Sequence, residues 1–169
     1  MSDQEKFRRQ SARVVLIDDR DRILLLKSYT DPADPAAGHT WWTPGGGVED
    51  GESLSEAAAR ELREETGLSV DAAALGPKIA EASGYAALSW AEGVFRDNFF
   101  HHRVASHHVD VSGQEEHERS HHAGHRWWAV DELAAAGGEL ILPLGLAGLA
   151  AELVAGRVPA RPVQLPWHH

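Results

Sequence analysis

Residues 46–68 read GGVEDGESLSEAAARELREETGL, and the local rules of helix formation already organise this stretch. Ser53 stands three residues before Glu56, the spacing of a capping box, in which hydroxyl and carboxylate each satisfy a backbone N–H of the first turn. Gly67 supplies the residue that takes positive φ just past a helix end. The spacing therefore predicts a helix over Leu54–Thr66. With about 100° per residue counted from Leu54, the side chains of Leu54, Ala57, Ala58 and Leu62 fall near 0°, 300°, 40° and 80°, an apolar arc that faces a core. Glu61, Glu64 and Glu65 fall at about 340°, 280° and 20°, on that same arc. Three carboxylates thus stand where apolar residues belong.

The ordinary meaning of a run such as ARELREETG is a solvated charged face. Here the outer arc already has its own polar residues in Ser55, Glu56, Arg60 and Arg63. Glu61 and Glu65 form an i,i+4 pair of like charges, which repel, and more so when partly buried. Hard oxygen donors converging without cysteine suit Mg²⁺ or Mn²⁺. Arg60, four residues before Glu64, is placed to pair with that carboxylate and orient it. Just upstream, Trp41-Trp42-Thr43-Pro44-Gly45-Gly46-Gly47 reads as a loop rather than a regular element, one whose glycines let backbone approach a ligand closely.

Working outward, ARVVLIDDRDRILLLKSY from Ala12 places two nearly continuous apolar runs around Asp18-Asp19-Arg20-Asp21. It predicts a hairpin whose strands lie in the middle of a sheet covered on both faces. Residues 78–111 are read as further strands, and Arg126-Trp127-Trp128-Ala129-Val130 as the last one. Asp131 is expected to cap a short helix ending at Gly137-Gly138. A final helix follows with Pro143 in its first turn, Leu146, Leu149 and Leu153 on one side, and Gly156 past its end. The expected organisation is a loose arm over 1–11, one domain over 12–156 and an extended Pro-rich tail over 157–169.

The whole chain has 169 residues, no cysteine, and a formal charge of −10 from 16 Lys+Arg and 26 Asp+Glu. A disulfide framework, a thiolate zinc cage and a cysteine nucleophile are excluded. The acidic balance argues against a duplex nucleic-acid binder. No apolar run approaches the roughly 20 residues of a membrane span, and MSDQEKFRRQ lacks the apolar stretch of a secretory signal, so a soluble, cytoplasmic protein without a membrane partner is expected. Residues 46–68 hold seven acids and two arginines, a local charge of −5.

Gly46, Glu52, the run Arg60-Glu61-Leu62-Arg63-Glu64-Glu65-Thr66-Gly67 and Leu68, at these spacings, resemble the signature of the Nudix hydrolases at every fixed position. A looser similarity runs from about Ala12 to Gly156. The resemblance implies an α/β (α+β) fold, an α/β/α sandwich around a mixed β-sheet, with the box helix and its preceding loop as the catalytic floor. It implies hydrolysis of a nucleoside diphosphate linked to a further group, with Mg²⁺ or Mn²⁺. Carried over, Glu61, Glu64 and Glu65 are metal ligands, Gly46 offers a backbone carbonyl, and Arg60, Glu52 and Gly67 support the box. Water attack on the phosphorus of a polyanion needs charge neutralisation, which metal ions supply.

Outside the box, the general base is assigned to Glu118 in QEEHERSHH, with Glu115, Glu116 and the box residue Glu61 as alternatives. Trp42 or Trp41 is a candidate base-stacking residue, the other packing into the core. Arg96, His101 and Arg103 are candidate phosphate contacts. Eight histidines lie between His101 and His125, read as scattered surface residues or as a second metal site; His168-His169 are left out of the functional reading. The substrate is expected to be a small nucleotide: a nucleoside triphosphate, ADP-ribose or nucleotide sugar. A nucleotide sensor without turnover and a transition-metal-binding protein are the alternatives from other classes. The Ala-rich last helix and the tail are compatible with a homodimer.

Overall fold

The computed structural model describes residues 7–114 and 121–168. Its strands are β1 (Arg9–Ile17), β2 (Arg22–Tyr29), β3 (His39–Trp42), β4 (Gly45–Gly47), β5 (Ala80–Ala87), β6 (Glu92–Arg103), β7 (His122–Ala129), β8 (Ile141–Leu142) and β9 (Val163–Gln164). Its helices are α1 (Leu54–Thr66), α2 (Val130–Ala135) and α3 (Leu146–Val154). The strands form one mixed sheet in the order β8-β3-β2-β1-β6-β5-β9, with β4 also paired to β1 and β7 to β2.

β1 and β2 are the centre, as their apolar runs require. Val14 to Ile17 and Ile23 to Leu25 are fully buried, and the Asp18–Asp21 turn joins them, with the Asp18 N–H donating to the Arg22 carbonyl. Past that turn the two strands diverge. Only Ile17 and Ile23 are in register, while β1 runs parallel to β6 along its whole length and β2 runs antiparallel to β7. Alternating side chains then build two cores, because successive residues of a strand face opposite sides of a sheet. Val14, Leu16, Leu24 and Phe100 pack on Ala57, Ala58 and Leu62 of α1. Val15, Ile17, Leu25 and Phe99 pack on Leu146, Leu149 and Leu153 of α3 and on Leu133 of α2. Helices on both faces of a mixed sheet are the sandwich expected from the sequence.

Several expectations are corrected. Gly45–Gly47 is a strand, antiparallel to β1 with Gly46 opposite Ala12; a partner strand supplies regularity that three glycines do not encode. Arg9, Gln10 and Ser11 of the expected arm belong to β1, and Phe7 before them is buried. Val163 and Gln164 of the tail form β9, parallel to β5. The strand expected at Arg126 begins at His122, and it is not the last, since β8 and β9 follow it. Asp131 lies inside the first turn of α2, and it is Glu132 that reaches back to accept the Ala129 N–H at 2.9 Å. α3 starts at Leu146, after a turn in which the Leu146 N–H donates to the Pro143 carbonyl at 3.2 Å. No helix among the described residues is long and apolar enough to cross a membrane.

Candidate active site

α1 begins with both halves of the capping box closed. The Ser53 hydroxyl accepts from the Glu56 N–H at 3.1 Å and the Glu56 carboxylate accepts from the Ser53 N–H at 3.1 Å. It ends at Gly67, whose φ of 78° is the left-handed conformation and whose N–H donates to the Arg63 carbonyl. Between these ends Ala57, Ala58, Glu61, Leu62 and Thr66 are buried, with Glu64 and Glu65 half-buried beside them. The helical phase read from the sequence is the phase of the structure.

Arg60 ties this helix to the loop before it. Its Nε donates to Glu52 Oε2 at 2.7 Å, and its Nη2 donates to Glu52 Oε1 and to the Gly47 carbonyl, both at 2.9 Å. Nη1 donates to Glu61 Oε1 at 2.8 Å and to Glu64 Oε2 at 3.4 Å. Glu52 Oε1 in turn accepts the Glu49 N–H at 2.9 Å. The Arg60 hydrogen bond holds the Glu52 carboxyl below its ordinary range. The same bond, acting against burial, raises the Arg60 guanidinium above its own, with Glu61 adding to the effect. Planar guanidinium against carboxylate is the geometry that makes such a pair strong and directional.

β4 lies across from these carboxylates. The Gly45 N–H donates to Glu65 Oε2 at 3.1 Å. Gly46 is close enough to the carboxyl of Glu61 that a Cβ on it would sit 2.6 Å from the Glu61 Cδ. Only glycine lets the strand lie there. Glu61 and Glu65 thus meet the strand, with Glu64 joined to Glu61 through Arg60, a donor set of hard oxygens that fits a divalent cation. Among the described residues no three acidic or histidine side chains form a ready cage; Arg60 and the Gly45 N–H hold these carboxylates.

Beside this surface opens a cleft of about 500 Å³, with Ser28, Tyr29, Thr40, Glu65, Gln114 and His122 in its walls, a volume typical of small-molecule sites. A second recess, of about 180 Å³, meets Gly46 and Gly47 from the other side. Arg13 and Trp42 line both. The Arg13 guanidinium stacks on the Trp42 ring at 5.0 Å and donates from Nη1 to the Thr43 carbonyl at 2.9 Å. Its buried Nε has no hydrogen-bond partner among the described residues, and the same holds for the buried Thr43 hydroxyl. Trp41, one residue away, faces the opposite side. It is buried, edge-on to Trp128 at 5.2 Å, and donates from Nε1 to Glu139 at 3.1 Å. The two tryptophans divide their roles by strand alternation.

The remaining sequence candidates scatter. Arg96 lines the smaller recess, 3.7 Å from Glu81 and stacked over Phe7. His101 and Arg103 lie on the Phe99 side of β6, the side facing α3, away from the carboxylates. Burial, with a smaller push from Arg103 and His102, holds His101 below the usual histidine range. Arg103 serves the end of α3 instead, pairing with Asp21 at 2.9 Å and donating to the Leu153 and Val154 carbonyls. Glu118 lies outside the described residues, with Glu115, Glu116 and His117. His107 bonds the Thr66 carbonyl at 2.7 Å at the end of α1, and His121 and His122 line the larger cleft. Arg13 is the residue that sequence reasoning does not single out; its one signal is a lone charge inside the apolar run ARVVLI.

The family model described as NUDIX domain matches residues 7–144. A protein of Bacillus subtilis (strain 168), whose name provisionally assigns it 8-oxo-dGTP diphosphatase activity, is 43% identical over 70 residues, 41% of this chain and 40% of that protein. The RNA pyrophosphohydrolase of Erythrobacter litoralis (strain HTCC2594) is 36% identical over 72 residues, 43% of this chain and 42% of that one. The alignments thus span about two fifths of the length of these curated relatives. Among solved structures, the dihydroneopterin triphosphate pyrophosphohydrolase of E. coli superposes with a TM-score of 0.61 at 20% identity, covering 87% of this chain and 95% of that one. The MutT protein of Methanosarcina mazei Go1 does so with a TM-score of 0.60 at 20% identity, covering 90% and 96%. At these identities the structures speak to the fold.

Proposed function

The chain belongs to the NUDIX domain family, and from that premise we propose that it is a pyrophosphohydrolase acting on a small nucleotide whose diphosphate is linked to a further group. The observation that carries the reading is the grouping of three α1 carboxylates, Glu61 against Gly46, Glu64 beside it on Arg60, and Glu65 bonded to Gly45 in the wall of a cleft of about 500 Å³.

In this reading Glu61, Glu64 and Glu65, with the Gly46 carbonyl, hold Mg²⁺ or Mn²⁺. Such an ion, when bound, neutralises phosphate charge and makes a water easier to deprotonate. The chain supplies the rest. Arg60, locked by Glu52 and the Gly47 carbonyl, fixes the two carboxylates it touches. Arg13, at the wall of the cleft, presents a guanidinium to the phosphates, and Trp42 offers an aromatic face at the same place. A water oxygen bonds to one phosphorus as the bridging P–O bond breaks; the leaving phosphate takes the bonding pair and the water proton passes to a base, for which Glu61 and Glu118 are the candidates. Two phosphorylated products result.

The test is a turnover screen with Mg²⁺ and with Mn²⁺ against nucleoside triphosphates, ADP-ribose and nucleotide sugars, with Glu64→Gln and Glu65→Gln alongside. Metal-dependent hydrolysis is expected, reduced in each variant by about a hundredfold or more. Nucleotide binding that stabilises the protein without any turnover would replace this reading with that of a sensor.

A further inference from the structure

Gly84 stands in the middle of β5 without a positive φ, so its backbone does not call for glycine. A glycine inside a strand weakens it and marks a place where another group comes close. Here that group is Trp167. Any side chain on Gly84 would overlap the indole, whose Nε1 donates to the Tyr85 carbonyl at 3.1 Å. β9 delivers the ring. The Val163 N–H donates to the Ile79 carbonyl at 2.9 Å, the Leu165 N–H to the Glu81 carbonyl at 2.8 Å, and the Gln164 amide to the Glu81 carboxylate at 2.6 Å. Leu165 and Trp167 also pack on the core that α3 shares with the sheet. Residues 163–168 are thus a strap fastened along the outer edge of β5.

The strap leads to the site. His168 lies against Trp167, ring centroids 4.5 Å apart, and meets Trp42 edge-on at 5.9 Å. Trp42 is the last residue of β3 and is half-buried. An indole so placed keeps rotamers to choose from unless a neighbour removes them. On its face lies the Arg13 guanidinium, at 5.0 Å. Beyond that ring, Arg13 is held by the bond from Nη1 to the Thr43 carbonyl, and its buried Nε has no hydrogen-bond partner among the described residues. A guanidinium on a long, flexible stem with so few fixed points takes its direction from the aromatic face beneath it. The contacts form one line, from β5 through Trp167, His168 and Trp42 to Arg13 in the wall of the larger cleft.

We propose that Trp167 and His168 are positioning residues: the strap fixes the Trp42 ring, and the ring fixes the Arg13 guanidinium. This rests on the pyrophosphohydrolase reading for what Arg13 meets, but the coupling from strap to Arg13 belongs to the protein without ligand. Acting through a binding group rather than through Glu61, Glu64 or Glu65, the strap sets affinity and not the chemical step.

Variants of the full chain test it. Gly84→Ala pushes Trp167 off β5 from outside the site, Trp167→Ala removes the ring, Trp167→Phe keeps one, and His168→Ala takes away the contact with Trp42 while leaving the anchor. The first readout is the Trp42 indole N–H resonance of the nitrogen-labelled protein, assigned by its loss in Trp42→Phe, with the Arg13 Nε–H resonance beside it. Both should shift and broaden in Gly84→Ala, Trp167→Ala and His168→Ala, and largely recover in Trp167→Phe. The second is calorimetric titration with the α,β-methylene analogue of ATP in Mg²⁺. Affinity should fall about tenfold in Trp167→Ala, the scale of coupling between packed neighbours, and should fall no further when Arg13→Ala is already present. With a substrate that turns over, KM rises while kcat holds. Unchanged Trp42 and Arg13 resonances in folded Trp167→Ala and His168→Ala overturn the proposal and leave the strap a stabilising element only. An affinity loss that persists in full on the Arg13→Ala background also overturns it, because the strap would then touch the ligand itself. A chain that neither binds nor turns over nucleotides overturns the hydrolase reading, and the resonances alone then decide this one.

Discussion

Arg60 distributes its donors over two turns of α1, one loop and one strand, and each acceptor is a carboxylate or carbonyl with restricted access to water. Lysine keeps the charge but has neither the planar fork nor the reach to meet Glu52 twice and Gly47 once. Arg60→Lys is therefore expected to lower stability by about 3 kcal/mol in urea unfolding, the scale of a broken, largely buried ion pair. A loss below about 1 kcal/mol would mean that Glu52 and Glu61 are solvated well enough to stand without it. Gly46 makes the complementary point from the strand side. A methyl group there would meet the Glu61 carboxyl at 2.6 Å, so Gly46→Ala should impair any activity of the carboxylate surface far more than it shifts the thermal midpoint, measured side by side.

Among the elements, α1 is the most readable because its information is local. Apolar spacing, a serine three residues before a glutamate and a glycine after the last turn specify where it starts, which way it faces and where it stops. Ser53→Ala should cost about 1 kcal/mol by removing one satisfied N–H of the first turn, checked by the urea midpoint at unchanged slope. β4 is unreadable for the opposite reason. Three glycines become a strand only because β1 offers a partner, and nothing within them says so. The same holds for β9, which takes its register from β5, and for Arg9 to Ser11. At the site, the carboxylate triad, Arg60 and Glu52 are legible from helical phase and motif. Trp41 and Trp42 are legible as a pair but not in their division, which depends on which face of β3 meets the core. Arg103 misleads because the end of α3 that it caps is 50 residues away in the chain. Arg13 escapes notice because a charge in a buried run has no meaning until the cleft exists.

Over the whole molecule, stability should depend on acid. Glu52 is held below its ordinary range first by the Arg60 hydrogen bond. Asp18 is held low as well, burial pushing it up but being outweighed by the N–H groups of Arg22 and Arg20 and the Arg22 side chain. Glu139 is held low by His39. For a carboxylate whose folded pKa is depressed, the unfolded chain binds more protons in the window between the two values, so the stabilisation is complete above the unfolded value and lost as pH falls. The thermal midpoint should thus be flat above about pH 5 with respect to these groups and fall below about 4.3, the ordinary glutamate value. Glu52→Gln should shallow that fall. A midpoint that holds steady down to about pH 3, below the ordinary carboxylate values, would contradict the role given to these pairs.

β1 is the first strand among the described residues and the middle of the sheet, and its longest neighbour, β6, arrives late: Ser11 bonds Asp97, 86 positions further along. During synthesis β1 must therefore wait, exposed and apolar, until the residues up to Asp97 have been made. α1 can coil early, yet the surface that seats it is unfinished until β6 docks. Long-range parallel pairing of this kind is slow to form, and the waiting strand is the segment most at risk of joining another copy. Refolding by dilution from urea should accordingly take milliseconds to seconds rather than microseconds, with yield falling as protein concentration rises. The strand that makes the site possible is also the one whose timing a nascent-chain binder would have to guard.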